Sequence, residues 1–195
     1  MLRWVPWCGF NDQITSIRVD NLSDDCQNPS STQVAVFEDV NYNQNSPARD
    51  CVLLNVGFYP NPFWNANSGQ SGGGYGLNDN QISSALVAPA QGAHARFTMW
   101  DLSSYQGAHV SSGTSVPDFR SGNFDGRIVN FNDKMTSLTV STCSHDICVQ
   151  GSALPASCGD PCVNAICPRD SFCCNSSWDA TCVAEVRSIC NFSCS

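Results

Sequence analysis

Three six-residue stretches of this chain are near copies of one another: Asn11-Asp12-Gln13-Ile14-Thr15-Ser16, Asp79-Asn80-Gln81-Ile82-Ser83-Ser84 and Asn132-Asp133-Lys134-Met135-Thr136-Ser137. Each sets two Asn or Asp side chains, a backbone carbonyl and a Ser or Thr hydroxyl within a few residues. That is a cluster of hard oxygen donors, the kind Ca²⁺ gathers in shells of about six to eight. One copy alone would mean only a turn, because these side chains hydrogen-bond their own backbone and tolerate left-handed conformations. The copies share their surroundings as well: an apolar residue stands fourth in each, and a Val (Val19, Val87, Val140) follows three residues past the end. Repetition in matched contexts favours a cation site. None of the copies has the twelve-residue loop with an acidic ladder, a central Gly and a terminal Glu that helix-loop-helix calcium sites require. Another scaffold must hold them.

Other chemistry finds little footing. His94, His109 and His145 are scattered, and no two of them stand at the four-residue spacing of a metalloprotease helix. The many Ser and Asp residues lie in turn-rich surroundings. Cys158, Cys162 and Cys167, with His145 nearby, are spaced almost as zinc ligands are. Ten cysteines crowded together with an adjacent Cys173-Cys174 pair fit disulfides better. Asn21, Asn175 and Asn191 each open a glycosylation sequon, a pattern that chance supplies in so Asn- and Ser-rich a chain.

The cysteines also divide the chain of 195 residues. Three of the 13 (Cys8, Cys26, Cys51) lie in the first 51 residues, none falls between Cys51 and Cys143, and ten occupy Cys143 to Cys194. A boundary is therefore expected near residue 142, with a part large enough to bury its own core before it and a short stapled module, 142–195, after it. Such density belongs to an oxidising compartment, so secretion is the expectation. The N-terminus, Met1 to Cys8, lacks the apolar run of a signal peptide. With the odd cysteine count, this suggests a chain whose upstream portion is missing. No stretch is apolar and long enough to span a bilayer. A net charge of −8 with nine Lys and Arg argues against a grip on nucleic-acid phosphates or anionic membranes.

The elements that must position the phrases are strands. From residue 33 to 141, short alternating runs separated by turn residues mark an antiparallel sandwich. Val34 and Val36 alternate with Gln33 and Ala35 before Phe37; Phe97 and Met99 alternate with Arg96 and Thr98 before Trp100. Each run leads into a corner, Phe37 to Tyr42 and Trp100 to Tyr105 with Gly107 beyond, and each unit closes about 40 residues later on the phrase and a final strand, Ala85 to Val87 or Leu138 to Val140. Two such units would pack their apolar faces together.

An aromatic, four residues, an aromatic, one residue and Gly, followed downstream by the Asn/Asp-rich phrase, resembles the Greek-key repeat of βγ-crystallin domains. The resemblance covers 33–141 as one paired all-β Greek-key domain, with Trp4 to Asp20, inside a remnant spanning 1–20, looking like the last two strands of an incomplete repeat. Gln44 stands where that family has Gly, so the first corner needs a positive φ at Gln44 or a shift to Asn43 or Asn45. The resemblance implies Ca²⁺ sites whose ligands cross between repeats. One would take the carbonyl of Gln81, the hydroxyl of Ser83 and the side chain of Asp133. The other would take the carbonyl of Lys134, the hydroxyl of Thr136 and the side chain of Asn80. Asp79 and Asn132 belong to the same donor set, and carbonyls near Glu38 and Asp101 add further oxygens. Only the first site receives an anionic crossing ligand, and it is expected to be the tighter. Asp12, Gln13 and Thr15 resemble a half-site that lacks its partner repeat.

Residues 60–76 form a long Gly- and Asn-rich loop, read as a tolerated insertion, with Phe63 and Trp64 as its apolar pair. Beyond Cys143 the pattern turns helical. Asp160-Pro161 marks an N-cap and first turn leading to Cys162, Val163, Ile166 and Cys167, and Ser177 is placed to cap a second helix bearing Cys182, Val186, Ile189 and Cys190. A small helical module with up to five disulfides follows, its pairing open. From His145 to Cys190 it resembles a Cys-rich C-terminal module of secreted bacterial proteins, especially of myxobacteria. The expectation is a secreted, non-enzymatic, calcium-binding structural or adhesive protein, with an extracellular protein or polysaccharide as its partner. Two rivals stand beside it: a protease inhibitor or toxin-like protein of the same fold, and the accessory region of a secreted hydrolase.

Overall fold

The computed structural model describes residues 26–45, 51–60, 80–88 and 95–194. Asp12, Gln13, Thr15, Asp79, the strands expected within Trp4 to Asp20, and the loop from 61 to 76 lie outside the described residues. Two sheets carry the first part. A three-stranded sheet runs β2-β1-β4, with β1 at Gln33–Phe37, β2 at Cys51–Asn55 and β4 at Ser84–Val87. A four-stranded sheet runs β3-β9-β5-β6, with β3 at Gly57–Tyr59, β5 at Arg96–Leu102, β6 at Gln106–Ser112 and β9 at Ser137–Ser141. Every pairing in both is antiparallel. A hairpin of β7, Gly122–Phe124, and β8, Arg127–Val129, closes one end.

Alternation decides what each strand buries, since successive side chains leave opposite faces. Val34, Val36 and Leu54 from one sheet meet Phe97, Met99, Leu138 and Val140 from the other in the main core. The opposite face of β5 is covered too: Trp100 is fully buried, in a second core that it shares with the cysteine-rich part. This explains why both β5 and β9 have almost no exposed residue.

The two sequence units do not stay separate. Strand β3 belongs to the first unit yet pairs with β9 of the second, Phe58 opposite Thr139. In return, Val116 bridges to Ala85 of β4 through N–H···O bonds of 2.8 and 3.0 Å. Each unit thus completes the other's sheet.

Both corners are pinned alike. Ser84 Oγ donates to the Asp39 carbonyl at 2.6 Å and accepts the Tyr42 N–H at 3.2 Å. Ser137 Oγ donates to the Leu102 carbonyl at 2.6 Å and accepts the Tyr105 N–H at 3.1 Å. The last Ser of the phrase therefore holds the corner of its own unit. In the second corner Gly107 carries φ +85°. In the first, Gln44 is right-handed at φ −58° and Asn43 takes φ +58° instead, because an Asn tolerates the left-handed region far better than a Gln. The aromatic pairs of the corners meet edge-on, Phe37 with Tyr42 at 5.7 Å and Trp100 with Tyr105 at 5.3 Å.

Residues 142–194 wrap around three short helices: α1 at Pro161–Ile166, α2 at Ser171–Asn175 and α3 at Ala180–Cys190. Between them β10, Gly151–Ser152, pairs with β11, Ser177–Trp178. Five disulfides staple them: Cys143–Cys158, Cys148–Cys194, Cys162–Cys190, Cys167–Cys174 and Cys173–Cys182. A sixth, Cys26–Cys51, ties the segment before β1 to β2. Asp160 caps α1 as its spacing predicts, accepting the N–H groups of Cys162 at 2.8 Å and Val163 at 3.2 Å. The cap of α3 is Asp179 and not Ser177: its Oδ1 accepts from Thr181 and Cys182 at 2.8 and 3.1 Å. A carboxylate suits the positive end of a helix better than a hydroxyl, and Ser177 is taken up by β11.

The chain end closes the second core. Trp100 Nε1 donates to the Ser193 carbonyl at 3.0 Å, the Ser193 N–H donates to the Tyr105 carbonyl at 3.0 Å, and Phe192 packs on Tyr105 at 4.3 Å. The stapled module is thereby seated on the second corner.

Candidate metal centre

The second and third phrases lie side by side, tied to each other by one matched pair of backbone bonds and each to the corner of its own unit by a second pair. Asp133 N–H donates to the Ile82 carbonyl at 3.2 Å, and Asn80 N–H to the Met135 carbonyl at 3.4 Å. Ser83 N–H donates to the Phe37 carbonyl and Thr136 N–H to the Trp100 carbonyl, each at 2.9 Å. Ile82 and Met135, the apolar fourth residues, are fully buried and anchor the loops from below. Asn80 at φ +57° and Asp133 at φ +54° are both left-handed. Only Gly, Asn and Asp visit that region readily, which gives a structural reason for those residue types at the second position.

This arrangement brings the crossing side chains together. Ser83 Oγ lies 3.4 Å from Asp133 Oδ1, and Thr136 Oγ1 lies 3.3 Å from Asn80 Oδ1. In each pair, one unit supplies the hydroxyl and the other the Asn or Asp side chain. Around the first pair opens a cleft of about 500 Å³ lined by Glu38, Asp39, Val40, Asn80, Gln81, Ser83, Arg120, Asn132 and Asp133. Asn132 Nδ2 donates to Asp133 Oδ2 at 2.6 Å, fixing that carboxylate. The Asn132 Oδ1 is buried and makes no hydrogen bond among the described residues. A buried acceptor in that state costs about 1 to 3 kcal/mol unless a hydrogen-bond donor or a cation meets it. Three carboxylates, three amide side chains and a hydroxyl make this an oxygen-rich, net-acidic donor set, which fits a hard cation and not a soft one.

The second pair sits in a poorer setting. Lys134 turns its ammonium onto its own loop, Nζ donating to the Asn130 carbonyl at 3.0 Å. Asp101 does not line the cleft; its Oδ1 accepts the Ala108 N–H at 2.8 Å and braces the corner at Gly107. Glu38 lies at the cleft, and the side chain of Asp101 serves the backbone; the oxygens expected at both places are main-chain carbonyls.

Arg120 is the residue at the cleft that sequence reasoning missed. Its guanidinium grips Asp118 through Nε and Nη2, at 2.9 and 2.8 Å. The hydrogen bonds and charge of Asp118 chiefly, and the charge of Asp133 in smaller part, favour its protonated form. The same grip holds the Asp118 carboxyl below its ordinary range. Nothing in the spacing ties Arg120 to a phrase that begins twelve residues later. Its local signal was the Asp118-x-Arg120 pair alone.

His145, raised above as a zinc neighbour, has both ring nitrogens at backbone carbonyls, those of Asp146 and Ser152, each at 2.8 Å. Gly151 leaves room for that ring, since a Cβ there would meet Nε2 at 2.7 Å. The cysteines expected near it are in disulfides.

Residues 141–194 match the model of a family described as a domain of unknown function, DUF8252. No curated protein matches the chain. Among solved structures, the chain is similar to the N-terminal domain of protein S, at 17% identity, covering 55% of this chain and 93% of that one with a TM-score of 0.37. A βγ-crystallin domain from Clostridium beijerinckii matches at 20% identity, 56% and 98% coverage and a TM-score of 0.38. One from Flavobacterium johnsoniae matches at 19%, 55% and 91% and 0.37.

Proposed function

We propose that this chain is a secreted, non-enzymatic, calcium-binding structural protein whose ions are shared between its two β units. One observation carries the reading: hydroxyl and Asn/Asp side chains from opposite units lie within 3.4 Å of each other in two quasi-equivalent places. The acidic cleft beside Asp133 supports it, as does the buried Asn132 oxygen. Ser83 and Asp133 with the Gln81 carbonyl would hold one ion, and Thr136 and Asn80 with the Lys134 carbonyl the other. Bound cation would supply electrostatic cross-linking between the units. Six disulfides support an oxidising compartment. An adhesive role toward an extracellular protein or polysaccharide belongs to the same reading.

Extracellular calcium modules work at dissociation constants of about 10⁻⁴ to 10⁻³ M. At free Ca²⁺ ten times that constant, each site adds about 1.4 kcal/mol of stability, or roughly 3 to 6 °C of melting temperature for a chain of this size. Melting in EDTA and in millimolar Ca²⁺ tests the proposal. The expected rise is lost in a Ser83→Ala, Thr136→Ala double variant. A native transition unmoved by calcium removes the metal from the account.

A further inference from the structure

Away from the calcium cleft, on the side where the stapled module covers the four-stranded sheet, a cavity of about 180 Å³ is lined among others by His109, Asp125, Arg127, Asp146, Cys148 and Cys194. His109 is on β6 and 6% exposed, and Asp146 is 7% exposed. His109 Nε2 lies 3.6 Å from Asp146 Oδ2. His109 Nδ1 is buried with no hydrogen-bond partner among the described residues. Asp146 Oδ1 is fixed by the Cys148 N–H at 2.8 Å. One ligand atom each from His109, Asp146 and Cys148 falls within 4.8 Å of the others, and Cys194 is bonded to Cys148.

We infer that reduction of Cys148–Cys194 opens a four-donor site for Zn²⁺ built from both sulfurs, a His109 ring nitrogen and the Asp146 carboxylate. While the disulfide stands, its sulfurs are spent on each other and only two donors remain. Reduction supplies the missing half of a tetrahedral set, with Zn–S at about 2.3 Å and Zn–N or Zn–O near 2.0 to 2.2 Å. Three of the four donors already lie within 4.8 Å of one another, and the bond itself holds the fourth sulfur beside Cys148. Two thiolates and a carboxylate around a dication leave one net negative charge; Arg127 in the wall balances it, while Arg96, close enough to act on Asp146, offsets Asp125, with which it is paired. Thiolate and imidazole select a soft ion, in contrast to the oxygen cleft of the calcium phrases.

The chemistry balances with a dithiol reductant. It passes two electrons and two protons to the Cys148–Cys194 bond and leaves as its own disulfide, and Zn²⁺ then displaces the two protons from the new thiols. In the test a phosphine serves as reductant, because dithiols chelate the metal; it leaves as its oxide with an oxygen from water. Native protein is titrated with Co²⁺ as a spectroscopic stand-in before and after partial reduction, with alkylation and mass mapping to identify the free cysteines. The expected result is a thiolate-to-cobalt charge-transfer band only when Cys148 and Cys194 are free, displaced by one equivalent of Zn²⁺. His109→Ala and Asp146→Asn each weaken binding by at least about tenfold, while near-ultraviolet dichroism of Trp100 and Trp178 reports that each variant is folded. No band from protein with both cysteines free overturns the inference. So does a band that persists in the Cys148→Ser, Cys194→Ser variant, or undiminished affinity in both His109→Ala and Asp146→Asn.

Discussion

Replacing Asp160 by Asn will make the stability of this protein less dependent on pH in a direction opposite to ordinary acid denaturation. Asp160 is 2% exposed, and burial pushes its carboxyl up to about 6, against the opposing pull of the Val163 and Cys162 N–H groups it caps. The folded carboxyl therefore binds its proton more tightly than the unfolded one, whose pKa is near 3.8. Between about pH 4 and 6 the native state holds more protons than the unfolded state, so stability falls as pH rises through this window and then levels off. Two units at about 1.4 kcal/mol each set the loss at about 3 kcal/mol. The variant keeps an Oδ1 for the two N–H groups and never carries the charge. Its stability relative to the native chain should thus rise by about 3 kcal/mol from pH 3.5 to pH 7, roughly 6 to 12 °C in melting temperature. Asp146 works the other way: although burial would raise it, the hydrogen bonds from His109 and the Cys148 N–H hold its carboxyl down. Its stabilisation is present above the ordinary carboxylate pKa and lost as pH falls. Both proteins carry Asp146, so most of its contribution drops out of the difference between the two curves, leaving the part by which its charge raises Asp160. Urea unfolding in EDTA with disulfides intact is the assay, and a difference curve flat from pH 3.5 to 7 would refute the argument.

Three further outcomes are expected. Asp133→Asn should weaken the tighter calcium step by about tenfold, since ligand charge count sets affinity in such sites, and Asn80→Asp should strengthen the weaker one; calorimetric titration that leaves the stronger step unmoved in Asp133→Asn contradicts the assignment. Ser137→Ala removes both corner bonds to Tyr105 and Leu102 in a fully buried place, costing about 2 to 3 kcal/mol by denaturant unfolding; a loss below about 0.5 kcal/mol would mean the corner stands without it. Gly107→Ala meets Asp101 Oδ1 at 2.0 Å on a backbone at φ +85°, so a drop of at least about 1 kcal/mol is expected in thermal melts, and an unchanged melting temperature argues against that corner.

The sequence made legible whatever depends on neighbours along the chain. The repeated phrase, the alternation of β1 and β5, the Asp160-Pro161 start of α1 and the clustering of cysteines all follow from local rules of period, capping and turn chemistry. What it hid was decided across space. Nothing in Gly57–Tyr59 announces that it completes the sheet of the later unit, because a strand's partner is chosen by packing and not by its own residues. Arg120 enters the cleft from a turn whose position only the fold fixes. Asp179 displaced Ser177 as a cap because β11 claimed the serine first. Ten clustered cysteines permit many pairings, and only the helices' placement selects Cys162 with Cys190. The shift of the first corner to Asn43 was visible as one of three options and needed the backbone to choose.

The bond between Cys148 and Cys194 spans 46 residues, and this governs how a pull on the chain's far end is carried. Tension applied there passes through the sulfurs straight to Cys148 and, within a few residues, to β9, the strand that β3 and β5 flank. The intervening segment is bypassed by the covalent path. About 150 Å of potential extension is withheld, so a tethered molecule would yield first in its sheets while its stapled end behaves as a short, inextensible handle.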